Sequence, residues 1–253
     1  MKDFIKKVWD EVKYELMFFV ILLFRFFSIF PKAISPWIAT GYICNYKYGI
    51  IPRGFIGTIF KFISNNNLTP KNVYTFVYIN TCIFMVLFAF LMGYLVRKIK
   101  SGVGRNVCVL LLVVYIFMPF SLTYLFRYAN YGRMDLYLYT ITLIQFFILR
   151  QPNFLKMIIV TFLSIICVLI HEAYMFFVFP ILVILVLYRM LKNGFKKNIL
   201  FGLVILITGV VLSTCYIKFS LEIKLPEINT YFAELNNSTN MVIDKNAIIY
   251  EYY

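Results

Sequence analysis

The chain reads as an all-α, polytopic helical membrane protein, with about seven transmembrane helices and an interfacial or re-entrant segment in the first outer loop. Three observations predict this. Apolar residues make up 62% of the 253, with 28 Phe and 20 Tyr, and mean hydropathy is +0.83. Charged residues are 14%, well under the quarter or so usual in globular domains. The apolar residues fall into runs near the ~20 residues a helix needs to cross a bilayer. Basic residues outnumber acidic ones 25 to 11. In so apolar a chain that excess marks cytoplasmic loops rather than nucleic-acid binding. The expected partner is the lipid bilayer, and no nucleic acid.

The candidate runs are 14–31, 73–96, 106–126, 135–149, 154–171, 173–191 and 199–219. The opening, MKDFIKKVWDEVKYELMFFV, sets a basic stretch before an apolar one but has no small-residue cleavage site. It reads as an anchor helix rather than a cleaved signal. Residues 154–191 form one apolar stretch, about 57 Å long as a single helix and nearly twice the ~30 Å hydrocarbon core. It must turn back, and its only charged interruption between Lys156 and Arg189 is His171–Glu172.

Basic residues set the orientation. Four lysines in 1–13, then Arg97, Lys98, Lys100 and Arg105, then Arg150 and Lys156, then Arg189, Lys192, Lys196 and Lys197 fall on alternate connections. The expectation is a multi-pass protein of the cell inner (cytoplasmic) membrane with a cytoplasmic N-terminus. Segments 32–72, 127–134, the His171–Glu172 turn and 220–253 then lie outside. In domain terms, 1–219 is the transmembrane helical domain, and 220–253 is a polar extracytoplasmic loop or tail carrying five of the eleven acids. Its polarity suits an outer loop cut before a further span, or a short outer tail. Within 33–64, Gly41, Gly49 and Pro52 punctuate the chain, and RGFIGTIFKFI predicts a short interfacial helix with Arg53 near its start.

The polar exceptions are few. Between Leu16 and Leu221 the only acids are Asp135 and Glu172, and His171 is the only histidine. Ionisable groups at membrane depth are costly and carry a functional expectation. With Arg53, Arg127 and Arg133 they all map to the outer side. In FRYANYGRMDLYLYT, Asp135 and Tyr139 would share a helix face, as would Arg133 and Tyr137. The plain alternative is a set of caps, an Arg–Asp pair and an interfacial tyrosine belt. HEAYM lacks the second histidine of a zinc-protease motif. The five cysteines are scattered without CxxC spacing, so no metal and no cofactor is expected. Arg25, inside the first run, has no assigned role.

Guanidinium groups suit phosphate or pyrophosphate, and an imidazole or carboxylate beside them can take a proton from a hydroxyl. Through YGIIPRGFIG (48–57), GRMDLYLY (132–139) and IHEAYMFFVFP (170–180), the chain resembles bacterial O-antigen and capsule repeat-unit polymerases. More broadly it resembles polyprenyl-dependent multi-span glycosyltransferases. The resemblance implies transfer of sugar units from a polyprenyl (pyro)phosphate donor to a glycan hydroxyl at the extracytoplasmic face. It implies a lipid-linked glycan substrate, and polysaccharide-assembly membrane proteins as partners. Arg53, Arg127, Arg133, Tyr137 and Tyr139 would bind substrate; His171, Glu172 and Asp135 would be catalytic. One departure is that segment 32–72 holds no acid, where multi-span glycosyltransferases carry a catalytic one. The competing readings are a transporter or flippase for a lipid-linked or anionic solute, and a non-catalytic membrane scaffold.

Overall fold

The computed structural model describes residues 2–48, 51, 53–100, 102–219 and 225–252. Gly49, Pro52 and the start of the C-terminal segment, 220–224, lie outside them. The regular structure among the described residues is helical, and the chain is an all-α, multi-pass membrane protein. In order the elements are α1 (Lys2–Ser28), α2 (Pro36–Gly41), α3 (Gly54–Ile63), α4 (Pro70–Lys98), α5 (Val103–Phe117) and α6 (Asp135–Ile148). They continue with α7 (Phe154–Ile170), α8 (Tyr174–Phe177), α9 (Phe179–Asn193), α10 (Lys197–Phe219), α11 (Leu225–Ser238) and α12 (Lys245–Tyr252).

Four helical stretches are long and apolar enough to cross a bilayer: Pro70–Lys98, Val103–Phe126, Tyr174–Asn193 and Lys197–Lys218. Phe24, Leu110, Phe162, Ile181 and Leu212 stand exposed on the outside of the bundle, an apolar belt that suits lipid and not water.

The bundle is built on α1 along α4, α4 along α6, α6 along α7, and α7 along α10. Arg97, at the end of α4, donates to Glu11 O and pairs with Glu15, both in the first half of α1. At the other end Tyr74 of α4 donates to Pro31 O just beyond α1, 2.9 Å away. The two helices are therefore antiparallel. Glu15 packs so closely on Gly93 that a Cβ there would lie 2.4 Å from its carboxyl carbon. This pair, with Glu15 buried and Arg97 reaching the surface, gave no sequence signal, because Glu15 sits next to the charged opening residues.

The third apolar run is interrupted. Helix α5 stops at Phe117, Met118 is extended (φ −64°, ψ 144°), and a 3-10 turn follows over Leu122–Phe126. Pro119 explains the stop: it lacks an N–H and pushes its predecessor out of helical geometry. The freed carbonyls are not left bare. Ile116 O accepts from the hydroxyls of Ser121, at 3.1 Å, and Thr123, at 2.8 Å.

The long 154–191 run breaks where the charged pair falls. His171 caps α7 in extended geometry, and its carbonyl accepts from Tyr174 N at 3.1 Å. Arg189, near the end of α9, reaches Tyr94 near the end of α4, whose ring also carries Arg150 from just past α6. Chain direction has thus reversed between α7 and α9.

The polar C-terminal segment forms two helices that lie on the first loop. Helix α12 packs on α2, Asp244 N donates to Thr40 Oγ1 at 2.9 Å, and Lys47 pairs with Glu234 at 2.7 Å. Tyr231 and Ile248 are buried in this contact. The expected outer segments 32–72 and 220–253 thus share one end of the bundle.

Candidate functional site

At that end a cavity of about 300 Å³ opens between α2, the start of α3, the 129–135 loop and the α7–α8 turn. Arg53, Arg133, Asp135 and His171 are among its walls. Four of the eight residues singled out in the sequence thus line one space, although 118 positions separate Arg53 from His171.

Arg53 is placed by backbone strain. It precedes α3 in the left-handed region, φ 66° and ψ −6°, which costs a non-glycine residue roughly 1–3 kcal/mol. Helix α3 is seated by Gly57, where a Cβ would fall 1.7 Å from Cys44 O. Only glycine permits that approach, and it fixes how deeply α3 sits. From this position the Arg53 guanidinium reaches His171 Nε2 at 2.9 Å.

A guanidinium can only donate, so His171 Nε2 accepts and the ring proton sits on Nδ1. Nδ1 faces Glu172 Oε2 at 3.3 Å and the Ala173 amide nitrogen at 3.2 Å. With the proton on Nδ1 the ring faces the carboxylate; in the other tautomer Nδ1 accepts from the Ala173 N–H. The result is a chain from Glu172 through His171 to Arg53. Burial pushes the Glu172 carboxyl up, but the hydrogen bond of His171, the charge of that ring once it is protonated, and the charge of Arg53 behind them outweigh it and bring the pKa down to about 2.

The turn carrying His171 rests on a buried polar network. Tyr174 OH donates to Gln145 Oε1 at 3.1 Å and meets Ser164 Oγ at 2.8 Å, while Gln145 Nε2 donates to Ser164 Oγ at 2.9 Å. All three side chains are fully enclosed. The network ties α6, α7 and α8 together one turn beyond His171, which matters because no glycine, proline or asparagine shapes that turn.

On the opposite wall, Arg133 Nε pairs with Asp135 Oδ2 at 2.9 Å. Asp135 opens α6, where the helix dipole favours a carboxylate. Arg133 stands before the helix begins, so it does not share a helix face with Tyr137. Tyr137 is buried instead, 3.2 Å from the hydroxyl of Tyr42, which donates to Gly132 O at 2.5 Å. That pair buttresses the 129–135 loop from beneath, and Tyr137 does not line the cavity. Tyr139 is half-buried beside Tyr124 and Asp135, also off the cavity wall. Arg127 is exposed and outside the lining; Glu172 is half-buried, also outside the lining, and faces the cavity only through His171. Arg25 lies over the Phe117 ring at 5.7 Å, away from the site.

Sequence reading overlooked Trp37, whose exposed indole lines the cavity. As one of only two tryptophans, in an otherwise interfacial segment, it carried a signal. Among the described residues no three His, Cys, Asp or Glu side chains gather closely enough to hold a metal ion. Compared with known proteins, the chain matches no family model, no curated protein and no solved structure.

Proposed function

We propose that the chain is a membrane glycan polymerase or glycosyltransferase. It transfers sugar units from a polyprenyl (pyro)phosphate donor to a glycan hydroxyl at the extracytoplasmic face. The observation that supports this is the single cavity walled by Arg53, Arg133, Asp135 and His171. The reading takes α1, α4, α5 with the turn after it, α6, α7, α8 with α9, and α10 as seven spans. It sets the N-terminus on the cytoplasmic side of a bacterial inner membrane. The basic ends of α4, α6 and α9 and the cavity at the opposite end agree with that orientation.

The proposed chemistry follows from the Arg53–His171 bond. While Arg53 occupies Nε2, the imidazole cannot take a proton. A diphosphate entering between Arg53 and Arg133 draws the Arg53 guanidinium toward its oxygens and frees Nε2. The acceptor hydroxyl oxygen then forms a bond to the anomeric carbon as the bond to the diphosphate oxygen breaks. The electron pair stays on that oxygen, beside the arginines. The hydroxyl proton passes to Nε2, and the resulting imidazolium is held by Glu172 through Nδ1–H. Asp135 holds Arg133 in place, and Trp37 offers a flat face for a sugar ring.

The test is transfer of sugar from a polyprenyl-diphosphate-linked oligosaccharide by protein reconstituted in vesicles, read as product chain length. Arg53→Ala, Arg133→Ala and His171→Ala are each expected to lower turnover by on the order of a hundredfold. Arg53→Lys should not restore it, since a lysine lacks the planar fork. Full chain length from all three alanine variants would end the proposal.

A further inference from the structure

Far from the cavity, at the end of the bundle that the basic connections share, three cations from three segments meet one aromatic ring. Tyr94 lies one turn before the end of α4. The Arg150 guanidinium, just past α6, stands 4.4 Å from its ring centre, and Lys98 Nζ stands 5.3 Å from it. Arg189 of α9 reaches the same tyrosine through its hydroxyl. None of the three cations is in a salt bridge among the described residues. The Arg189 Nε is buried with no hydrogen-bond partner. Nearby Arg97 shows what the fold does with a cation it neutralises itself: Glu15 is buried against it.

Like charges at this spacing repel, and a tyrosine ring offers each only a weak attraction. Their convergence makes a site for an anion. The surface beside it says which kind. Leu95, Leu187, Tyr188 and Leu191 are exposed on the same turns of α4 and α9, Leu191 by 83%. They form an apolar flank that a free phosphate would not use and that acyl chains would cover. We infer that Lys98, Arg150 and Arg189 bind the phosphate of an anionic phospholipid headgroup in the leaflet opposite the cavity. Tyr94 is the platform between the three cations, and the leucines lie against the acyl chains. This inference stands apart from the glycan-transfer proposal and does not need it.

The test is lipid retention. Protein exchanged from detergent into bilayers of mixed phosphatidylglycerol and phosphatidylcholine, then re-extracted, should carry phosphatidylglycerol through purification, read by mass spectrometry. Arg150→Gln with Arg189→Gln should lower that retention on the order of thirtyfold, whereas Arg150→Lys with Arg189→Lys should keep most of it. Equal retention by the glutamine variant would overturn the inference. If millimolar inorganic phosphate, with no lipid present, protects the unaltered protein from heat as well as phosphatidylglycerol does, the lipid assignment is overturned in favour of a soluble phosphate. Should the glutamine variant not fold, the unaltered protein decides the matter. Its thermal midpoint should be higher in phosphatidylglycerol bilayers than in pure phosphatidylcholine, and equal midpoints would sink the proposal.

Discussion

The two ends of the bundle carry much the same residue types and use them differently. At the cavity end three cations are engaged by side chains from elsewhere in the chain or across a turn, Arg53 with His171, Arg133 with Asp135 and Lys47 with Glu234, while Arg127 stays exposed. The backbone there is also forced, with Arg53 left-handed and Gly57 against a carbonyl. At the basic end the close glycine contacts, Gly93 on Glu15 and Gly202 on Met157, lie between helices, whereas Gly102 and Gly104 on the connection after α4 have no atom crowding them within 3.4 Å. A protein places strain where geometry has to be held, and leaves charge unneutralised where the surroundings can supply the counter-ion. The contrast assigns precision to one end and surface attraction to the other.

The sharpest way to break that contrast is to substitute glycines at both ends. Gly57→Ala forces α3 off the Cys44 carbonyl and should cost about 3 kcal/mol, read as a lowered thermal midpoint in detergent. Gly104→Ala, in the first turn of α5, has room for its methyl and should be neutral or stabilise by up to about 1 kcal/mol. Equal effects at the two sites would erase the distinction.

Next in size is the network beneath the His171 turn. Tyr174→Phe leaves Gln145 Oε1 without its donor in a fully enclosed site. The expected cost is about 1–3 kcal/mol, together with a loss of transfer activity beyond what the lost stability explains. Unchanged stability would mean the network does not brace the turn.

A smaller effect comes from acid. The Glu172 carboxyl is held at about 2 against an ordinary 4.5. The stability it contributes is therefore present above pH 4.5 and lost as pH falls toward about 2. Glu172→Gln should flatten the stability profile in that window, matching the unaltered protein near pH 2 and falling below it near neutrality. A profile as steep as that of the unaltered protein would remove Glu172 from the chain to His171. Smallest of all is Lys13→Ala, which opens the solvent-facing pair with Asp10. It should leave the thermal midpoint almost unchanged, and a clear drop would show that the basic end also holds geometry.

Each of the seven apolar runs read from the sequence coincides with a helix or a broken helix. The turn at His171–Glu172 was located without any turn-forming residue to mark it. Hydropathy and charge are properties of neighbours along the chain, so they survive folding unchanged. The stop at Met118 could have been read from Pro119. The C-terminal helices could not, because Tyr231, Leu235 and Ile248 look unremarkable until α2 and the first loop are there to receive them. Tyr137 shows the same limit from the other side. Its spacing from Arg133 suggested a shared face, but the helix begins two residues after Arg133, and that offset turns the tyrosine inward.

What the sequence determined by itself is the all-helical membrane architecture, the short helix behind Arg53, and the short set of polar residues that a bilayer would not tolerate without cause. The tertiary structure alone decided which of them meet. Arg53, Arg133, Asp135 and His171 share a cavity; Tyr137 became a buttress; Arg127 stayed at the surface. The physical reason is range. Transfer energies and helical periodicity act over a few residues, whereas a cavity wall depends on how closely helices far apart in the chain can approach, and that is set by glycines, strained turns and buried hydrogen bonds.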